Sequence, residues 1–435
     1  MLTSPSPHRW TLSPSACDRS LRPAKTALVL TGGGARAAYQ AGVLRMIAKI
    51  QAAHGHSANP FPIVCGTSAG ALNAAAIACG ADQFGAATRA LKQVWMDLHV
   101  EKVYRASISD MIEGGFRWLS LMGIGWLIAR GKFAPKSVLD NTPLGELLRM
   151  HIPLRRLPDL LETDALDALA ITASSYSSGE HVTFYQAKQS VSAWRRNQRI
   201  AIPTTIHYDH LLASAAIPLI FAPVPLSLNG PRAYFGDGSV RQTSPLSPAI
   251  HMGADQLFVI GAAKPPEPSQ LGREDAPAPS LSEVIGHSLS SIFIDALPAD
   301  IERLERVNQT LSRLPADSAQ VNGLRPIQIM TIFPSSRIDH LAQAHVQSLP
   351  PSVQRLLRLL GDQRTRPNRA TRGGALLSYL LFESSFTRSL IAMGEKDAWN
   401  QRHEIADFLG FSNPNEDHGY TTGSKTPEQS RAQTI

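Results

Sequence analysis

The chain has 435 residues, 43% of them hydrophobic, which is enough apolar mass for one large core with an appended region and too much for a disordered or fibrous protein. Its three cysteines, Cys17, Cys65 and Cys79, cannot build a disulfide framework, which excludes the small disulfide-stapled classes and suits a reducing compartment. Lys and Arg outnumber Asp and Glu by 42 to 35, a net charge of +7. With no zinc-finger spacing and no RNA-binding aromatic motif, that surplus favours anionic lipid over nucleic acid, against the plainer reading of a solvated basic surface.

Residues 1–25 carry Pro, Ser, Arg and Trp10 without an apolar centre, so they read as a disordered tail rather than a signal peptide. The first strand is expected over 26–31. It runs into Gly32-Gly33-Gly34-Ala35-Arg36, and a helix follows over 35–53, with Ala38, Ala41, Leu44 and Met46–Ile47 at spacings of three and four. A glycine loop that feeds a helix gathers unpaired N–H groups at the positive end of the helix dipole, so it binds anions. Three readings compete: a nucleotide phosphate loop, which lacks its Gly-Lys-Ser/Thr ending; a dinucleotide loop, whose third glycine is replaced by Ala37; and an oxyanion hole.

A second strand, 61–65, enters Gly66-Thr67-Ser68-Ala69-Gly70 and a helix over 69–79. Strand, tight turn and helix put Ser68 at the apex of a strained elbow, its hydroxyl clear of the sheet. That makes Ser68 a candidate nucleophile, against the plainer reading of a glycine-bracketed turn. Helices are expected over 83–97 and 139–150. Between them, Phe116 to Lys132 is rich in Trp and Leu and bounded by Arg and Lys. It is too short to span a bilayer and reads either as an interfacial contact, centred on 116–130, or as a buried helix.

Strands are then expected over 168–174, 181–186, 232–236 and 256–262. The fifth of the chain's strands ends in Asp237-Gly238-Ser239, a turn that carries one carboxylate. Residues 264–280 read as a loop, 281–313 as helical, 327–333 as a late strand of the same sheet, 361–374 as a basic loop and 412–435 as a disordered tail. No run reaches the length of a transmembrane helix. The alternation predicts an α/β layered fold with a mainly parallel central sheet flanked by helices. The expected division is a catalytic region over 26–262 and a C-terminal region over 263–411 packed on it.

Together these elements resemble the patatin-like phospholipase family. The first loop is similar to its glycine-rich oxyanion motif with a basic residue inside, the elbow to its Gly-x-Ser-x-Gly, and Asp237-Gly238 to its Asp-Gly-Gly/Ala. Leu212 to Pro218 and Phe221 to Val224 resemble the family's approach to the aspartate, and Val240 to Ile250 its continuation. Tyr379 to Glu383 and Gly394 to Ala398 resemble the tail of bacterial members. The resemblance implies a serine lipid acyl hydrolase acting on phospholipid or acylglycerol esters, without metal or cofactor, while the cysteine usage and the 116–130 segment suit a cytoplasmic protein or one peripheral to a membrane. It implies a Ser68–Asp237 dyad in which the carboxylate is the base, an oxyanion hole over Gly32, Gly33, Gly34, Ala35 and Arg36, an elbow of Gly66, Thr67, Ala69 and Gly70, and a dyad turn of Gly238 and Ser239. Arg36 is expected to pin the loop rather than to contact phosphate.

Two residues depart from the family pattern. Ala37 stands where the last glycine of the first motif is usual, and would carry strain if that site needed a positive φ. Ser239 stands where glycine or alanine is usual. Other readings stay open: an α/β-hydrolase triad of Ser68, Asp209 or Asp237, and His251, with His207 and His210 also nearby in sequence; a catalytically weak lipid-binding or regulatory protein; and a nucleotide-binding enzyme. The sequence does not define an oligomeric state.

Overall fold

The computed structural model describes residues 24–105, 139–188, 191–227, 230–264, 281–314, 324–359 and 374–412. The two tails, the loops expected over 264–280 and 361–374, and the 116–130 segment lie wholly or largely outside those residues.

Among the described residues a ten-stranded sheet organises the chain. At its centre β1 (Thr26–Leu30) pairs in parallel with β2 (Ile63–Thr67) on one edge and with β9 (Gln256–Ile260) on the other. Beyond β9 lies β10 (Gln328–Ile332), and beyond β2 lies β3 (Ala168–Ser175), both parallel. The far side mixes directions: β4 (His181–Ala187) is antiparallel to β3, β6 (Arg199–Pro203) is parallel to β4, and β5 (Arg195–Arg196) is antiparallel to β6. The sheet is thus mostly parallel, as the alternation of elements predicts. The late strand joins it as expected. Strands β5, β6 and β7 (Val224–Ser227) lack a clear apolar pattern in sequence and were not expected.

Every residue of β1, β2 and β3 is buried, as central parallel strands covered on both faces must be. Along β1 the side chains alternate: Leu28 and Leu30 enter one core, Ala27 and Val29 the other. The larger core is covered by α1 (Ala38–Ala53), α2 (Ala69–Ala78), α3 (Phe84–Met96), α4 (Thr142–His151), α5 (Leu157–Glu162) and α6 (Tyr208–Ser214). The smaller is covered by α7 (Ser247–His251) and by α9 (Ala296–Ser312), which follows α8 (Leu281–Ile294). The C-terminal helices are α10 (Ile338–Ala344), α11 (Pro351–Leu359), α12 (Gly374–Leu380), α13 (Ser384–Asn400) and α14 (Arg402–Phe408). Helix α13 lies along α1, and its Phe386, Leu390 and Ile391 enter the same core. Cys65 and Cys79 are free buried thiols, each pushed up to about 12 by burial, so they behave as small core residues.

Two expectations need correction. The second strand runs over 63–67 rather than 61–65, because Thr67 still pairs with Thr172 and the strand therefore leads straight into the elbow. By length and composition one stretch among the described residues, Glu283–Ser312, is apolar enough to cross a membrane, where the sequence leads one to expect none. That stretch turns at Asp295 between α8 and α9, and its Leu289, Phe293, Leu297 and Leu304 are buried in the protein.

Candidate active site

The register of the sheet brings Ser68 and Asp237 together. One edge of β3 pairs with β2 up to Thr67–Thr172. Strand β8 (Arg232–Asp237) takes over at the next residue, with Asp237 opposite Ala173 and antiparallel to β3. β4 occupies the other edge of β3 there, through Val182 and His181. The end of β2 and the end of β8 therefore meet along one edge of one strand. The residue after β2 is Ser68 and the last residue of β8 is Asp237.

Ser68 adopts φ 57 and ψ −132, a conformation that costs a non-glycine residue about 1–3 kcal/mol. Close packing holds it there. A Cβ at Gly66 would stand 2.5 Å from the Gly70 carbonyl oxygen, and one at Gly70 would stand 2.4 Å from that of Leu30. The elbow can close against β1 only with glycine at both positions. The Ser68 N–H donates to Ser214 Oγ at 2.9 Å. Thr67 is fixed by Thr172 Oγ1 at 2.6 Å and by Gln242 Nε2, which donates to it at 2.8 Å.

The Ser68 hydroxyl donates to Asp237 Oδ2 at 2.5 Å. Both residues are buried, Ser68 at 1% and Asp237 at 0% exposure. Asp237 Oδ1 accepts from the Ser239 N–H at 2.8 Å. Burial pushes the Asp237 carboxyl up to about 6, with the Ser68 and Ser239 hydrogen bonds pulling the other way. A carboxylate with that pKa and a short hydrogen bond to a hydroxyl can take its proton as the oxygen attacks a carbonyl.

The glycine loop lies against the elbow: a Cβ at Gly32 would stand 3.0 Å from Ser68 Cβ. Gly34 has φ 54 and begins a short 3-10 turn, Gly34–Ala37, that leads into α1. The first N–H groups of such a turn, and those of α2 at Ala69, have no partner within their own helix and are available to an anion. The expected strain at Ala37 is absent, since its φ of −65 is ordinary helical backbone. The Ala37 carbonyl accepts from Asn73 Nδ2 at 3.0 Å, and Asn73 in turn holds Gln40 and Trp95. Arg36 is 2% exposed. Its Nε donates to Ser378 Oγ at 2.8 Å and its Nη2 to Asp339 Oδ1 at 2.6 Å, while the guanidinium lies 3.9 Å from the centroid of the Tyr379 ring. Those partners make it a pin for the loop.

No hydrogen bond joins a histidine to Ser68 or Asp237 among the described residues. His210 Nδ1 accepts from the His207 N–H at 3.0 Å, its ring centroid lies 4.7 Å from that of Phe184, and burial pushes it down to about 4. His251 donates from Nδ1 to the Ser247 carbonyl at 2.8 Å and stacks on Trp194. Asp209 sits in the first turn of α6. Among the described residues no three of His, Cys, Asp and Glu gather as metal ligands would. Ser68, Ala69 and Gly34 open into a cavity of about 610 Å³ whose walls include Leu72, Leu98, Leu148, Ile152, Phe221 and Phe382.

Sequence reasoning missed Ser214, Gln242, Asp339 and Tyr379. Ser214 lies in a stretch that resembles the family's approach to the aspartate, which was the one signal available for it. Gln242 and Tyr379 likewise lie in stretches that resemble the family's pattern, whereas Asp339 reaches the site from far along the chain with no local pattern.

A mostly parallel α/β sheet with a strained serine elbow, a carboxylate within hydrogen-bond reach and an apolar cavity at the serine defines a hydrolase-like class of protein. A family model described as patatin-like phospholipase matches residues 28–250, and the chain belongs to that family. Membership supports lipid acyl hydrolysis as the general activity. No curated protein matches the sequence. Among solved structures, the crystal structure of VipD from Legionella pneumophila aligns with a TM-score of 0.31 and 15% identity, covering 85% of this chain and 67% of that one.

Proposed function

We propose that this protein is a metal-independent serine lipid acyl hydrolase of the phospholipase A or lysophospholipase type, which cleaves carboxylic esters of phospholipids or acylglycerols. The observation that carries the reading is the 2.5 Å contact of Ser68 Oγ with the buried Asp237 carboxyl at the opening of an apolar cavity. In this reading residues 26–262 hold the reacting groups, and 263–411 support them through the contacts of Arg36.

The ester carbonyl carbon sits over Ser68 with its acyl chain in the cavity. Asp237 takes the hydroxyl proton as Ser68 Oγ bonds to that carbon. The N–H groups of Gly33, Gly34 and Ala35, with Ala69, stabilise the negative oxygen of the tetrahedral intermediate. Collapse expels the glycerol-side alcohol, which takes the proton from Asp237 and leaves an ester on Ser68. Water then cleaves that ester. A substrate drawn from a lipid aggregate places the enzyme at a membrane surface for part of its cycle, while the protein itself resides in the cytoplasm or peripherally on the membrane.

The test is hydrolysis of a labelled phospholipid in mixed micelles and of a short-chain p-nitrophenyl ester, each with and without chelator. Turnover of both that survives chelation is expected. A protein that binds anionic vesicles but turns over neither ester belongs to the lipid-binding reading instead.

A further inference from the structure

The Ser239 hydroxyl is buried at 4% exposure and has no hydrogen-bond partner among the described residues. It lies beside both members of the dyad. The point where a Gly32 Cβ would stand is 2.5 Å from Ser239 Oγ and 3.0 Å from Ser68 Cβ, so hydroxyl and nucleophile flank one spot on the glycine loop. The Ser239 N–H is already bonded to Asp237 Oδ1, and its hydroxyl lies against the same carboxyl and helps hold its pKa down.

Buried polar atoms are ordinarily partnered, so a buried hydroxyl without a geometric partner beside the dyad suits a small polar guest.

We propose that Ser239 holds the water that hydrolyses the acyl-enzyme and presents it to Asp237. The proposal rests on Ser68 as nucleophile and Asp237 as base. The water oxygen bonds to the carbonyl carbon of the Ser68 ester while one of its protons passes to Asp237. The intermediate then breaks its bond to Ser68 Oγ, which recovers the proton from Asp237, and the fatty acid leaves. Ser239 gains and loses nothing in this step. It is a positioning residue whose Oγ accepts a hydrogen bond from the second O–H of the attacking water, a donor that methanol lacks once its one hydroxyl proton faces Asp237. Glycine at position 32 permits this arrangement, because a Cβ there would collide with Ser239 Oγ and the Phe293 ring.

The experiment is competition between water and methanol for the acyl group of a short-chain p-nitrophenyl ester, read as the ratio of free acid to methyl ester. That ratio is set after acylation, so it does not depend on how fast Ser68 is acylated. Ser239→Ala is expected to lower the ratio roughly five- to tenfold relative to the natural chain, and Ser239→Gly to do the same, with both variants unfolding near the natural temperature. An unchanged ratio overturns the proposal even if turnover falls, because a purely structural or oxyanion role slows both acceptors alike. A folded Ser239→Ala chain that forms neither product also overturns it, since acylation would then need the hydroxyl. Ser68→Ala run in parallel separates the two readings. If it stays active, the proposed mechanism fails as a whole. If it is inactive while the Ser239→Ala ratio is unchanged, only the role of Ser239 fails.

Discussion

Arg36 of the glycine loop and Asp339 of α10 form an ion pair at 2.6 Å across 303 positions of sequence. The Arg36 side chain is 3% exposed and that of Asp339 20%. Ser378 and Tyr379 on α12 close the other sides of the guanidinium. Gly34 is held equally tightly, since a Cβ there would stand 2.3 Å from the Tyr379 carbonyl oxygen. The loop beside Ser68 is thus shaped from the C-terminal region as much as from β1.

Asp339→Ala leaves a buried guanidinium without its carboxylate. We expect a loss of about 2–3 kcal/mol in denaturant unfolding, below the range for a fully buried pair because Asp339 is partly solvated. Turnover of a short ester should fall about tenfold as the N–H donors shift. Asp339→Glu should recover part of both.

Ala37→Gly tests the departure from the family's glycine motif. Ala37 is helical, so glycine relieves nothing and loosens the start of α1. Stability should drop by about 0.5–1 kcal/mol, with turnover unchanged or lower. A rise in turnover would show that the loop needs more freedom than its backbone indicates.

The Asp237 carboxyl, pushed up to about 6, sets two pH dependences of opposite sign. As a base it must be ionised, so kcat/KM should rise with pH through about 6. For stability, a folded pKa above the unfolded value of about 3.9 means the fold prefers the protonated form. That contribution is full below about pH 4 and is lost as pH rises through about 6, on the order of 3 kcal/mol. Asp237→Asn should therefore unfold at a higher temperature than the natural chain at pH 8, and the gap should close near pH 4.

The cavity predicts chain-length selectivity. Val94 of α3 is half-buried and lines it. Val94→Trp should fill part of that space and lower turnover of long-chain esters by about tenfold relative to butyrate esters, each buried methylene of substrate being worth about 0.8 kcal/mol. Equal loss on both lengths would place the acyl chain elsewhere.

Ser68 and the glycine loop of the candidate site were legible in the sequence because their patterns are local. Ser68 announces itself through glycines two positions on either side, and the loop through consecutive glycines between strand and helix. Asp237 was legible only by resemblance, since Asp-Gly is common in turns. What pairs it with Ser68 is the replacement of β2 by β8 along β3, a register that no local pattern encodes. Strands β5 to β7 escaped notice for a related reason: their residues are mostly partly buried or exposed, so no apolar run marks them. Asp339 and Ser378 look in sequence like ordinary helical polar residues. Only the fold shows that they hold Arg36.

His207, His210 and His251 each changed to Asn should keep turnover within about threefold, since their ring nitrogens serve α6, α7 and the core. One such variant losing as much activity as Ser68→Ala, at unchanged thermal stability, would favour a triad.

The claim that Ser68 is the nucleophile and Asp237 its base is tested most directly by the rate of covalent labelling with a fluorophosphonate, followed by intact mass and peptide mapping. The account predicts a single adduct on Ser68 in the natural chain, and labelling slowed at least about a hundredfold in folded Asp237→Asn. An adduct on another residue, or Asp237→Asn labelled at the natural rate, would contradict it.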